Sequence, residues 1–198
     1  MFAVVEDGKI TQMPNGNKGI TIGDNQYSAS IFTSIYSEAE RNAAGIYTVE
    51  IDNTNKKDEE YYTNTNITYA FGSGKVTGSY GTATAKAMED ANAKDDDGND
   101  LDPVVVIEGL KTIKKRIINN QCAQILAPSD WMYIKAGEEG GTMDSGWKTW
   151  RASVRTKCNS MQTQIDNAAN VDALAALFTY TTTDGVTSRP LGEFPVKE

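Results

Sequence analysis

The chain contains no histidine. That removes His-based catalytic triads, most zinc sites and the commonest general base. Cysteine is nearly absent too: Cys122 and Cys158 stand far apart, form no metal motif, and fall in predicted helices where no disulfide is needed to explain them. No P-loop and no G-x-G-x-x-G occurs. The segment "FGSGKV" has a Gly-Ser-Gly-Lys but neither the spacing nor the following helix of a phosphate cradle. No apolar run reaches the length of a membrane span, and the opening "MFAVVEDGKI" lacks the basic start and long apolar stretch of a signal peptide. These absences predict a protein that is not an enzyme, holds no cofactor or metal, contacts no membrane, and is made in a reducing cytoplasm.

What is present is polar and acidic. The hydrophobic share of 39% limits the core to a modest size, and the net charge is −8 over 198 residues. The charge is uneven. Residues 1–102 carry 8 Lys or Arg against 17 Asp or Glu, whereas residues 103–198 carry 11 against 10. An acidic first half disfavours nucleic acid as a partner.

The first half reads as β-rich. Residues 2–10 suggest two short strands around a turn, and the loop chemistry of "MPNGNKG" follows. Ser37, with Glu38 and Glu40 in the next turn and Gly45 beyond, marks a short capped helix. "IYTVEID" at 46–52 alternates as a strand, and "KKDEE" at 56–60 reads as a charged loop. Residues 61–85 form two β-prone arms around Gly72-Ser73-Gly74, with Gly78 and Gly81 suggesting a bulge in the second. Residues 87–102 are acidic, carry only Met88 and Leu101 as large apolar side chains and read as a linker. "DDDGND" within it resembles a calcium loop, but its spacing puts Ala93 and Val104 at ligand positions, which argues against one.

From Asp102 the period changes to a helical one. Asp102 and Pro103 suit a helix start. Val106, Leu110, Ile113 and Ile117, then Ile118, Cys122 and Ile125, mark an apolar stripe that stops at Pro128. Lys111, Lys114, Lys115 and Arg116 form the polar face, read as solvated. A second long helix starts near Asp144 or Ser145, after a Gly-rich loop over 137–146. It carries Trp147, Trp150, Val154, Met161 and Ile165 on one face, with Arg151 and Arg155 beside them. Asn170 caps a third, short helix. The expected architecture is α+β: a β-rich attachment unit over 1–86, an acidic linker over 87–102, an antiparallel helical hairpin with a short helix over 103–178, and an extended arm over 179–198.

All three tryptophans fall between Ile125 and Arg155. Two helices bury little area alone, and large aromatic residues at their open end supply much of the remainder. Trp131 is therefore expected to fold back and lock the hairpin, with Asp130 capping the next turn or bonding an indole. The arm, with Tyr180, Val186, Leu191, Phe194 and Val196 scattered over polar sequence, is too thin for its own core. It is expected on a neighbouring chain or in a groove of its own hairpin.

Leu126, Ser129, Asp130, Trp131 and Met132, then a Gly-rich loop, then Trp147, Trp150, Arg151 and Arg155, form a pattern that resembles the C-terminal part of bacteriophage tail-fibre assembly and related tail proteins. Phe194-Pro195 resembles their terminal segment, and "MFAVVEDGKITQMP" with "GIYTVEI" is similar to the β unit that opens such proteins. The loop lacks the prolines usual there and the tail is longer. The resemblance implies a virion structural protein of the tail or its fibres, assembled in the host cytoplasm. It would be present in many copies or as a homo-oligomer, and would bind other virion proteins of tail, fibre or capsid through Trp131, Trp147, Trp150, Arg151, Arg155 and Phe194. The alternatives are a fibre-assembly chaperone and a capsid decoration protein.

Overall fold

The structure, a computed structural model, describes residues 1–197, and the chain divides into two compact units, 1–84 and 85–198. The α+β character is as expected.

The first unit is built on tight turns. Strands β1 (Phe2–Glu6) and β2 (Lys9–Gln12) join through Asp7 and Gly8, both at positive φ, the backbone a two-residue hairpin turn requires. Strands β3 (Ile20–Ile22) and β4 (Asn25–Tyr27) make a second small hairpin. Helix α1 (Glu38–Ala43) opens with the expected cap. The Ser37 hydroxyl accepts from the Glu40 N–H while the Glu40 carboxylate accepts from the Ser37 N–H. Strand β5 (Ile46–Asp52) follows. The two-residue strand β6 (Tyr62–Thr63) precedes the hairpin of β7 (Thr68–Gly72) and β8 (Lys75–Ser79), and β9 (Thr84–Ala85) pairs with β6. The sheet runs β2-β1-β5-β8-β7, with only the β5–β8 pair parallel. Edge strands β2 and β7 approach each other, so the sheet curls around its contents. Val4, Ile20, Ile31 and Ile46 form the core, ringed by Phe2, Ile22, Tyr27 and Phe32.

The expected bulge at Gly78 does not occur. Gly78 stays in register opposite Tyr69 and Ile51 because the Tyr69 ring and the Ile51 and Ile67 side chains lie where its Cβ would stand. The glycine serves close packing rather than a break in the ladder.

In the second unit, residues 87–102 are not a free linker. Strand β10 (Ala91–Asn92) pairs with β11 (Val106–Ile107), and Lys94 bridges to Asp100. The turn between them is the "DDDGND" segment. Asp95 accepts from the N–H groups of Asp97 and Asn99, and Gly98 has a φ of 86°. The carboxylates there hold a turn. Among the described residues no group of three His, Cys, Asp or Glu is placed to hold a metal.

The helix expected from Asp102 begins later, as α2 (Leu110–Leu126). Val104, Val105, Val106 and Ile107 are all exposed and extended, as four successive β-branched residues favour. The first turn of α2 is closed by earlier chain: the Asp90 carboxylate accepts from Gly109 N–H, and the carbonyls of Ala87 and Met88 accept from Leu110 and Lys111. The buried stripe keeps Leu110, Ile118 and Cys122 of the expected one and adds Lys114, with Ile117 exposed. Lys114 is only 3% exposed, its ammonium 4.6 Å from the centre of the Phe178 ring. Its neighbours are paired to carboxylates: Lys111 with Glu89, Lys115 with Asp166 and Arg116 with Glu108.

Pro128 does not send the chain into a loop. Residues 127–129 make one 3-10 turn, in which the missing proline N–H leaves no gap, and helix α3 (Asp130–Glu138) continues where the chain was expected to leave the helix and turn back. Helix α4 (Ser145–Asp166) is capped by Asp144, and α5 (Val171–Phe178) by Asn170, both as expected. Helices α2 and α4 pack antiparallel, since Lys115 meets Asp166 at one end and Leu126 meets Arg151 at the other. Ile118, Cys122, Val154, Cys158, Met161 and Ile165 are buried on these two helices.

The final segment is not a free arm. Strands β12 (Thr181–Thr183) and β13 (Val186–Ser188) form a small hairpin, and the chain then returns onto α4 of its own unit. Leu191 is fully buried, its N–H bonded to the Leu177 carbonyl and its carbonyl accepting from Lys157 Nζ at 2.8 Å. Of the two expected locations, the groove of its own hairpin is the one occupied. No helix of the described residues is long and apolar enough to cross a membrane.

Candidate functional site

The corner between α2 and α3 is built around one cation. Arg151, nearly two turns into α4, is buried, and its guanidinium reaches three acceptors on the facing chain. It donates to the Leu126 carbonyl at 2.8 Å, to Ser129 Oγ, and to Asp130 Oδ1 at 2.5 Å. Ser129 is buried as well and its hydroxyl donates to the Leu126 carbonyl at 2.8 Å. Leu126 ends α2, where the carbonyls carry partial negative charge and lack helical partners. A planar guanidinium presents five donors in a rigid fork, which lets it reach this carbonyl, hydroxyl and carboxylate together. The Ser-Asp and Arg of the sequence pattern are thus a structural clamp, and Asp130 pairs with Arg151 rather than with an indole.

The clamp aims α3. The far end of that helix is fixed by glycine: Gly140, at φ +68°, donates to the Gly137 carbonyl, and Gly141 donates to the Ala136 carbonyl at 2.8 Å. These crossed bonds close the last turn as a Schellman motif. Between clamp and cap the helix displays large apolar side chains to solvent. Trp131 is 55% exposed, Tyr133 71% and Ile134 61%. The expectation that Trp131 locks the helical hairpin is therefore wrong. The continuation of the helix past Pro128 carries its ring outward instead of back across the hairpin.

Trp147 and Trp150 do the internal work. Their rings meet edge to face at 5.5 Å, Trp150 Nε1 donates to the Pro195 carbonyl at 3.0 Å, and Lys197 Nζ lies 5.3 Å from the centre of the Trp147 ring. Both are half-buried, so two of the expected contact residues hold the final segment to α4, and Phe194 within that segment is half-buried as well. The sequence pattern brings together two groups: Ser129, Asp130 and Arg151 at the clamp, and Trp147, Trp150 and Phe194 near the final segment.

Beside the clamp lies an open cavity of about 350 Å³. Tyr133, Ile134 and Met143 form its apolar wall, and Asp130, Lys148, Arg151 and Arg155 supply the charge. A second hollow of about 210 Å³ continues along α3 and shares Tyr133, Met143 and Lys148 with the first. Asp130, Tyr133, Ile134 and Gly137 recur at helical spacing, so one face of α3 lines both. Sequence reasoning missed Tyr133, Ile134, Met143 and Lys148. The signal available was the apolar face within 130–137, hidden by assigning that stretch partly to a loop.

Cys122 and Cys158 are free and buried between α2 and α4. Burial first, then the neighbouring Cys158 thiol, pushes the Cys122 thiol up to about 11. Such a thiol is protonated and inert at neutral pH.

No protein-family model matches the chain, and neither a curated protein nor a solved structure does.

Proposed function

We propose that this chain is a structural protein of a bacteriophage virion, associated with the tail or its fibres, and that it works by attachment to other virion proteins and catalyses no reaction. The observation that carries the attachment reading is α3. A nine-residue helix is fastened at one end by Arg151 and at the other by the Gly140 turn, and it holds three large apolar side chains in water. Rigid presentation of aromatic residues lowers the entropy lost on docking, and such residues dominate binding energy at protein interfaces. The words "phage" and "tail" rest on the sequence resemblance around Ser129-Asp130-Trp131 and Trp150-Arg151. The exposed run Val104–Ile107 is a second apolar surface, suited to a chain used in many copies.

The test is mass spectrometry of purified virions from the phage that encodes the chain, followed by gold labelling on intact particles. The expected result is stoichiometric recovery with label on the tail. Label on the head assigns the chain to capsid decoration. Presence in infected cells with absence from virions assigns it to fibre-assembly chaperoning, the reading closest to the proteins it resembles.

A further inference from the structure

We infer that the trough along α3 is a binding site for an extended peptide segment that carries a carboxylate next to an apolar side chain, supplied by the partner protein. The inference rests on the attachment reading above and adds the chemistry of the partner at that surface.

Charge is the first argument. The cavity gathers three cations, Lys148, Arg151 and Arg155, against one carboxylate, Asp130. Asp130 is already paired to Arg151, so the surplus lies on Lys148 and Arg155. Neither of these pairs with a carboxylate among the described residues. This is unlike α2, where Lys111, Lys115 and Arg116 are each matched to an acid. In a chain of net charge −8, two unmatched cations at the rim of one hollow make a local positive field that draws in an anion.

Shape is the second. The cavity of about 350 Å³ is near the lower end of ligand clefts, which run roughly 300–1,000 Å³, so it suits a side chain or two. It does not end there. The neighbouring hollow prolongs it along α3 past Ala136 and Gly137, and the wall of both is the exposed apolar face of that helix. An elongated trough with cations at one end and aliphatic or aromatic wall along its length matches a strand of peptide. Its carboxylate sits on Lys148 and Arg155, and its apolar neighbour against Tyr133, Ile134 and Met143. A lone inorganic anion would leave the apolar wall in water.

The experiment uses the full chain and a fluorescein-labelled hexapeptide, Gly-Leu-Glu-Leu-Asp-Gly, followed by fluorescence anisotropy. Two control peptides replace the acids by Gln and Asn, or both leucines by Ala. Saturable binding of the first peptide is expected. Each control should bind roughly three- to tenfold more weakly, the scale of two exposed ion pairs or a partly buried side chain. The Lys148→Gln/Arg155→Gln double variant should lose the same factor with the acidic peptide and nothing further with the amide peptide, which assigns the loss to the charge contact. Both side chains are free of intramolecular ion pairs, so the variant should keep the far-ultraviolet circular dichroism of the parent. Ile134→Ala supplies an independent check on the apolar wall.

Equal binding of the acidic and amide peptides overturns the inference, as does an unchanged affinity in the folded double variant or an absence of saturable binding. Displacement of the peptide by sulfate as effectively as by unlabelled peptide, with the leucine-free control binding undiminished, reassigns the cavity to small anions. Recovery of the chain in virions alongside failed peptide binding removes this inference and leaves the attachment reading standing. Peptide binding by a chain absent from virions does the reverse.

Discussion

Removing the Arg151 guanidinium strips three acceptors at once, the buried Ser129 hydroxyl and the part-buried Leu126 carbonyl among them. Arg151→Ala should therefore cost roughly 2–4 kcal/mol in thermal or urea denaturation. Asp130→Asn should cost under about 1 kcal/mol, because that carboxylate is largely in water and its ion pair is screened. A large loss for Asp130→Asn with a small one for Arg151→Ala would invert the account of the clamp. The tryptophans separate in the same way. Trp131→Ala should change stability by less than about 1 kcal/mol, as an exposed side chain does. Trp150→Ala should cost about 2 kcal/mol through its hydrogen bond to Pro195 and its contact with Trp147. The thiol of Cys122 ties one residue to pH. It ionises near 9.0 in the unfolded chain and near 11 in the folded one. Between those values the folded state holds the extra proton, so stability falls as pH rises from 9 through 11. The decline should be shallower in Cys122→Val, and Ellman's reagent at pH 8 should find the native thiol unreactive.

At the scale of elements, α3 depends on its ends. Gly140 has open space around its Cα, so Gly140→Ala meets no clash and only the strain of positive φ, about 1–2 kcal/mol. Circular dichroism and denaturation of this variant measure that strain directly. If stability is unchanged, the last turn of α3 is not held by the Schellman bonds. The elements legible in the sequence are those set by local chemistry. Ser37 and Glu40 cap α1, Asn170 caps α5, and Asp7-Gly8 turns the first hairpin, each using partners within a few residues. The elements misread are those decided at a distance. Helix α3 continues past Pro128 because Arg151, from another helix, takes the acceptors at the corner. Lys114 turns inward because the Phe178 ring waits there. Asp90 and the carbonyls of residues 87 and 88 close the start of α2, and no helical period reveals that. In the candidate site Arg151 and Arg155 stood out by their spacing of four, whereas the pairing of Asp130 with Arg151 did not. The apolar wall of Tyr133, Ile134 and Met143 was not legible, since it exists only once 130–138 is a helix.

For the molecule as a whole, each unit has its own buried cluster: Val4, Ile20, Ile31 and Ile46 in the first, and Ile118, Val154, Met161, Ile165, Leu174 and Leu191 in the second. The final segment belongs to the second of these. Deleting residues 189–198 removes a fully buried leucine and uncovers the Trp150 indole and the Lys157 ammonium. The second unit should lose about 3 kcal/mol or more, as for a large truncation in a core, while the first unit keeps its stability. Hydrogen exchange resolved by region distinguishes the two. Uniform loss across both units, or none in either, would contradict this assignment of the segment. The outward-facing surfaces, α3 and the run Val104–Ile107, lie apart from these clusters, so substitutions there should alter assembly without altering folding.

The socket that Leu191 fills also bears on how the protein is made. All partners of the first unit's core lie within the first 84 residues, so that unit can close while the ribosome is still translating the rest. Helices α4 and α5 cannot finish packing until residues 191–195 have cleared the exit tunnel. A chain interrupted before that point keeps an open apolar groove beside a bare indole, the kind of surface that chaperones and proteases recognise in unfinished chains. The packing of α4 and α5 thus depends on a leucine that emerges after both helices are made.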